Sequence, residues 1–501
     1  MSLILRNNNA VIYLVAALFS ILLSFDGSLR ATVVNPDGVC YLQSAATIAT
    51  AGVHHAMHIC GQAQWPFYSI LIYDLVALTK ISYISSAFVL DGIFSIVSVL
   101  TFIYIVQMLG GTRRVLWLAA ATVLFAHEFD SVREYVIRDH GFWAFYLLSV
   151  ACLIQYFRSR RWLDALLWIA TLIVATLFRV EGVIFIVLVP FIALFDSGRR
   201  LRSFLQLNAV TIVMGIAVLI FMFCHHSNLQ GNRLAEIEYQ FVHGMTNLVS
   251  SFHSRSAALG QYVLSSYSAR DAGTVFFLLL VAWYAASVVY NLSVIYTLLV
   301  IYAWSKKLLS LHKPERLALA AYIVVNVIIT AAFLVDFMFL SKRYLIALSL
   351  ILMLWVPFAL EDLIQRHKER KWLLPVVIFF MVASALGGMI EFGYSKAYIR
   401  DAGRWLASNA PSEAAIYSND YQVMFYSNHF GNSIFDQAGR FADMAVLADG
   451  KWKQYAYVAL RVDQKELHNS AIVKEIQAQV TPTQIFANKR GDEVVIYKIS
   501  H

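Results

Sequence analysis

Charge is what this sequence has least of. Only 14% of its 501 residues are Asp, Glu, Lys or Arg, against roughly 25% in a soluble globular chain. That scarcity excludes a cytosolic enzyme and a disordered protein. Cysteine is rare too, at four, which excludes a scaffold built on disulfides. Eight prolines and 23 glycines do not suit a low-complexity chain. What is abundant is apolar. Hydrophobic residues make up 59%, and mean hydropathy is +0.64. This is the composition of a polytopic α-helical membrane protein. The excess is uneven: residues 1–390 are mostly long apolar runs, whereas 391–501 have the composition of a soluble domain. The net charge of +8 does not point to nucleic acid, because the basic residues sit in short clusters between apolar runs, where orientation signals sit.

About 20 apolar residues cross the roughly 30 Å of bilayer hydrocarbon. Eleven segments qualify: 10–27, 86–109, 115–131, 141–157, 162–178, 181–195, 203–224, 274–304, 317–339, 343–360 and 373–390. No small-residue cleavage site follows 10–27, so it is read as a span and not as a signal peptide. Five basic clusters test the list: Arg113/Arg114, Arg158/Arg160/Arg161, Arg199/Arg200/Arg202, Lys306/Lys307/Lys313/Arg316 and Arg366/Lys368/Arg370/Lys371. With a cytoplasmic N-terminus, eleven spans put all five inside. Segment 65–81 is apolar but short, and carries Asp74 and Lys80. Counting it as a span would move every cluster outside, so it is read as a juxtamembrane or re-entrant segment. The expected domains are a membrane domain over 1–390, with a first external loop at 28–85, and an external domain over 391–501. Cys152 and Cys224 lie in spans. Cys40 and Cys60 share the first external loop, where an oxidising compartment permits a bridge; two free thiols is the alternative.

Residues 394–409 have helical periodicity, with Tyr398, Ala402, Trp405 and Leu406 on one face. Short apolar or alternating runs follow at 414–418, 432–436, 455–462, 483–487 and 493–499, with helical stretches near 440–448 and 463–478. The pattern predicts a small α/β domain. It carries no nucleotide-binding glycine motif and no Cys/His metal spacing.

Ionisable groups near membrane depth are costly, so they mark candidate sites. The predicted external face collects Asn35-Pro36-Asp37-Gly38 and Tyr41 in the first loop. The second loop has His127, Glu128, Asp130, Arg133 and Glu134, then Arg138-Asp139-His140. Arg179 and Glu181 occupy a short turn, Lys342-Arg343-Tyr344 opens a late span, and His225/His226 end another. Carboxylates and cations on one side suit a reaction on an anionic lipid-linked substrate. Each residue also has a plainer reading. Asn-Pro-Asp-Gly is a turn sequence, and Asp139 could cap the helix that follows. Lys342/Arg343 could anchor to headgroups, Arg179/Glu181 could be a local ion pair, and His225/His226 could simply mark a helix end. His54, His55, His58 and Cys60 match no closed zinc spacing and read as loop residues. Asp91, Asn326 and Asp336 lie within spans; the sequence leaves open whether they pack or line a cavity.

The stretch from Asn35 to Gly52 resembles the first external loop of GT-C glycosyltransferases. In the lipid A aminoarabinose transferase and the protein O-mannosyltransferases, an Asp follows the first span and a Tyr comes soon after, in a helix that ends at Gly. Three further stretches resemble that superfamily in the same order. Arg138-Asp139 looks like its second acidic site. Leu177 to Gly182 looks like its basic turn, and Lys342-Arg343-Tyr344-Leu345 like its entry to a late span. The match covers residues 1 to about 360. One departure is Gly38, where several relatives carry a second carboxylate; this speaks against a two-carboxylate metal site in that loop.

The resemblance implies a polytopic membrane enzyme that moves a sugar, with inversion, from a polyprenyl-phosphate donor to a lipid, glycan or protein acceptor. It implies catalytic roles for Asp37 and Asp139. Arg343, Lys342, Arg179 and Arg138 would bind the donor phosphate, and Tyr41, Tyr344 and Glu181 the substrate. A divalent metal ion is compatible with Asp139 but not required. The setting implied is a bacterial-type inner membrane, in the biosynthesis of cell-envelope glycans such as lipopolysaccharide. A transporter or lipid flippase is the alternative, although no repeat between the halves supports it.

Overall fold

The computed structural model describes residues 9–196, 200–224, 233–309, 311–366, 371–390, 393–429, 444–463 and 470–499. His225/His226, Arg199, Lys368, Arg370 and the run at 432–436 lie outside them. The described residues up to 389 are helical, in order α1 (Ala10–Arg30), α2 (Pro36–Ala56), α3 (Phe67–Thr79), α4 (Tyr83–Met108), α5 (Arg113–Leu124) and α6 (His127–Ser131). Then come α7 (Asp139–Ser159), α8 (Trp162–Phe178), α9 (Gly182–Leu188), α10 (Arg200–Cys224), α11 (Arg233–Tyr262), α12 (Ala272–Leu292) and α13 (Val294–Ser305). The last of this set are α14 (Lys313–Phe337), α15 (Lys342–Leu352), α16 (Val356–Gln365) and α17 (Leu373–Met389).

Length separates these helices. Among the described residues six are long and apolar enough to cross a membrane, and α5 with α6, bent by 49°, makes a seventh candidate. Other apolar helices, α3, α8, α13 and α17 among them, run 10–17 residues. The expected count of eleven full-length spans is therefore not reached by length. The run at 274–304 shows why. As one helix it would extend about 46 Å, well past the hydrocarbon thickness. It breaks at Ser293, which takes φ 69°, and the Ser293 hydroxyl accepts the Tyr296 N–H to cap α13. The 13-residue α3 rises only about 20 Å. Apolar side chains still face outward along the long helices, as in Leu14, Leu22, Phe277 and Val324. Their outer faces are apolar, as a lipid-facing surface must be.

By contacts the chain divides into two compact units: Met1–Leu23, Gly92–Val132 and Arg138–Ile390; and Ser24–Asp91, Arg133–Ile137 and Glu391–His501. Residues 28–85, expected to belong with the membrane domain, group with 391–501.

In the first unit, buried polar groups satisfy one another. Asn326 on α14 donates to the Tyr146 hydroxyl on α7 at 2.5 Å. Trp168 on α8 donates to the Tyr322 hydroxyl, which also meets Ser149. Asn326 thus belongs to a helix–helix contact, where a polar group finds its partner at membrane depth. The Asp336 carboxylate accepts from Ser251 at 3.4 Å. Three of the basic clusters take acidic partners at helix ends: Arg158 pairs with Glu315 at 2.6 Å and donates to the Met108 carbonyl, Arg160 pairs with Asp196, Arg114 with Glu361 and Arg366 with Asp362.

In the second unit, α18 (Ala397–Asn409), β1 (Ile416–Ser418), α19 (Tyr421–Ser427), β2 (Tyr457–Val462), α20 (Ala471–Gln477), β3 (Gln484–Ala487) and β4 (Glu493–Lys498) form a small α/β region. The sheet order is β1-β2-β4-β3, parallel for β1–β2 and antiparallel otherwise. Tyr417, Trp452, Val458, Leu460, Val495 and Tyr497 build its core. Residues 444–447 form a 3₁₀ turn within the stretch expected to be helical.

Candidate functional site

In the second unit, α2 begins at Asn35, the residue that precedes Pro36 at the first helical position. Pro suits that position because its missing N–H is one the helix leaves unpaired anyway. Asp37 falls in the first turn, where a carboxylate meets the positive end of the helix dipole. So Asn-Pro-Asp-Gly opens a helix; it does not form a free-standing turn. Asn35 fixes the start: its side chain accepts the Val136 N–H at 2.8 Å and donates to the Val136 carbonyl at 3.2 Å. Asp37 is buried, and its Oδ1 accepts from the Gln62 amide at 3.1 Å. Gly38 has no room for a side chain. A Cβ there would meet Asn35 Oδ1 at 2.8 Å, Val34 at 2.9 Å and Val136 at 3.0 Å. The missing second carboxylate is thus enforced by packing.

Cys40 and Cys60 are disulfide-bonded, with Cα atoms 6.2 Å apart. The bridge ties α2 to the turn that carries Gln62. Gly52 leaves helical geometry at φ 82°, a value glycine accepts at little cost. Tyr41 is 3% exposed and packs edge-on against Tyr68, ring centroids 5.2 Å apart. Tyr68 donates to the Asp91 carboxylate at 2.9 Å, and Asp91 also accepts the Ile137 N–H. Asp91 therefore anchors α3 to α4. Sequence reading gave Gln62, Tyr68 and Asn35 no role, because their partners lie tens of residues away.

In the first unit, several of the expected site residues come together. Asp139 opens α7 but makes no cap; the N-cap position is Arg138. The Asp139 carboxylate instead pairs with the buried Arg179 guanidinium, which also pairs with Glu181. Arg179 stacks over the Tyr344 ring at 4.5 Å, and Arg343 lies over the same ring at 5.6 Å. Arg343 and Arg138 add positive potential at Asp139. Close packing supports the cluster: a Cβ on Gly141 would strike the Phe178 ring at 2.3 Å. Burial pushes the Glu181 carboxyl up, but the Arg179 guanidinium beside it more than offsets this and holds it below the ordinary value. The arrangement is a net-positive, largely buried cluster of planar cations, suited to grip an oxyanion.

Lys342 stands apart from this cluster. Its ammonium pairs with the buried Glu128 at 3.2 Å and donates to the Tyr290 hydroxyl at 3.0 Å. His127 also meets Glu128, at 3.3 Å, and its other ring nitrogen lies 2.8 Å from the Ser384 carbonyl. Glu128 was legible in the sequence only as one acid among several in its loop.

Among the described residues no three His, Cys, Asp or Glu side chains are grouped to hold a metal ion. Gln62 turns a donor N–H, not an oxygen, towards Asp37, Asp139 is committed to Arg179, and Cys60 is oxidised. These donors do not fit a divalent ion.

No sequence-family model matches the chain, and no curated protein matches it. Solved structures do. ArnT from Cupriavidus metallidurans, bound to undecaprenyl phosphate, aligns over 98% of each chain at TM-score 0.59 and 14% identity. An oligosaccharyltransferase of Archaeoglobus fulgidus, complexed with zinc and sulfate, aligns over 98% of this chain and 73% of its own at TM-score 0.54 and 12% identity. The mycobacterial arabinofuranosyltransferase AftD aligns over 99% of this chain and 40% of its own at TM-score 0.53 and 14% identity. Nothing in these comparisons favours a transporter. Sequence likeness is thin throughout, but the likeness in fold runs the length of the chain: this multi-pass membrane protein has the GT-C fold of these glycosyltransferases.

Proposed function

We propose that this protein is an inverting membrane glycosyltransferase that takes a sugar from a polyprenyl-phosphate donor. The observation that carries the reading is buried Arg179, held between Asp139 and Glu181 beside Arg138 and Arg343, in a chain of GT-C fold. In this reading an acceptor hydroxyl attacks the anomeric carbon as the bond to the phosphate oxygen breaks. Asp37 takes the hydroxyl proton as general base, or orients the hydroxyl. The leaving lipid phosphate gains charge, and fixed cations already in place stabilise it without reorganisation. Arg343, Arg179 and Arg138 take that role, and Asp139 and Glu181 hold Arg179 in position. Lys342 joins them only by loosening from Glu128. Tyr344, whose ring lies under two guanidinium groups, serves the substrate. No step passes through a metal.

The acceptor is a lipid, a glycan or a protein on the outer side of an inner-membrane-type bilayer. In this reading the N-terminus is cytoplasmic and the 391–501 region external, in keeping with the positions of the basic clusters. The test is Asp37→Asn, assayed for transfer from a polyprenyl-phosphate sugar. Transfer should fall by about a hundredfold or more if a general base is lost. Full transfer by a stably folded variant would overturn the reading. Mass spectrometry of membrane glycolipids and glycans from a deletion strain then identifies sugar and acceptor together.

A further inference from the structure

Residues 31–35, between α1 and α2, have no regular secondary structure. Backbone groups in such a segment need partners from elsewhere when they are buried, and Val34 is 5% exposed. The partners come from the far end of the chain. Gln422 on α19 donates its side-chain amide to the Val34 carbonyl at 2.6 Å. The Tyr426 hydroxyl, one turn on, accepts the Val34 N–H at 2.9 Å. Arg400 on α18 donates to the Thr32 carbonyl at 3.1 Å. Both backbone groups of Val34 are thus held by one short helix, three residues before Asp37.

That helix is itself fixed to the sheet. Asp420 caps α19 by accepting the Gln422 N–H at 2.7 Å, and it pairs with Arg461 of β2 at 2.5 Å. Asn419 exchanges two hydrogen bonds with the Arg461 backbone, both at 2.8 Å. A continuous set of bonds therefore runs from β2 through α19 to Val34 and the first turn of α2.

We propose that Gln422 and Tyr426 are positioning residues for Asp37, and that the C-terminal α/β region serves the transfer by fixing the segment from which α2 starts. The proposal rests on the transferase reading above. An unregistered start would let the first turn of α2 fray, since helix ends have few internal bonds. Asp37 would then lose its aim, and a small misplacement of a catalytic group is costly in rate.

The test uses the full-length protein in lipid nanodiscs. Gln422→Met and Tyr426→Phe each remove one bond while keeping shape. Amide hydrogen exchange should accelerate about tenfold in peptides covering residues 31–40 and stay unchanged in β2 and β4. The kcat for sugar transfer should fall about tenfold, while KM for the polyprenyl-phosphate donor stays within about twofold. Unchanged exchange at 31–40 in both variants overturns the clamp, whatever transfer shows. Accelerated exchange with unchanged kcat overturns its role in catalysis. Full transfer by Asp37→Asn overturns the functional reading itself, whatever exchange shows, so the two failures are told apart.

Discussion

The side-chain amide of Gln62 donates to Asp37 Oδ1 at 3.1 Å, across 25 positions of sequence. This bond fixes one oxygen of the carboxylate and with it the direction in which Asp37 points. Gln62→Ala should lower sugar transfer by about ten- to a hundredfold, the worth of one hydrogen bond to a charged group. Gln62→Glu should lower it further, because two carboxylates would then face each other. Initial rates with a polyprenyl-phosphate sugar check both, and equal rates in all three proteins would contradict the assignment.

The Cys40–Cys60 bridge closes a loop of 20 residues, and Gln62 lies just beyond it. A cross-link of that span stabilises by about 3 kcal/mol in the chain-entropy account. Cys40→Ala with Cys60→Ala should therefore lower the unfolding temperature by several degrees. It should also reduce transfer, as the turn carrying Gln62 loosens from α2. Thermal unfolding under non-reducing conditions, beside the same measurement with reductant, checks this; a reductant-insensitive native protein would not fit.

Arg179 is buried between two carboxylates. Asp139→Ala removes one of them and should destabilise the protein by about 3–5 kcal/mol, as breaking a buried pair does. Arg179→Lys should not restore the native state, because one ammonium cannot grip two carboxylates as a planar fork does. The pH dependence has a fixed sign. The Glu181 carboxyl in the fold is held below its reference value of 4.5. Its contribution is present in full above that value and is lost as pH falls through the folded pKa. The stability gap between wild type and Glu181→Gln should be widest near neutral pH and close in acid. A gap independent of pH would contradict the pairing.

Gly38→Asp places a second carboxylate next to Asp37 in the sequence. A Cβ there lies 2.8–3.0 Å from Asn35, Val34 and Val136, so we expect a loss of about 1–3 kcal/mol from overpacking and no metal-stimulated transfer. A stable Gly38→Asp protein whose transfer rises with added divalent cation would show that the packing yields.

Hydrophobic runs located the apolar helices among the described residues, because burying or lipid-facing apolar length needs no partner to be legible. They did not reveal where those helices break. The run at 274–304 reads as unbroken, yet Ser293 divides it, because a Ser can cap a helix as readily as sit inside one. The α/β character of 391–501 was legible from alternation in β2, β3 and β4. That α19 reaches back to Val34 was not, since a bond across 388 residues leaves no local trace.

The sequence by itself determined the membrane class, the helical segments and a short roster of charged residues, since each follows from composition and local periodicity. The tertiary structure decided how that roster divides. It drew Asp139, Arg179, Glu181 and Tyr344 into one cluster and gave Lys342 to Glu128. It set Gln62 against Asp37 and closed the space beside Gly38. Pairing of buried charge and the filling of space are properties of groups brought together from distant parts of the chain, and only the fold brings them together.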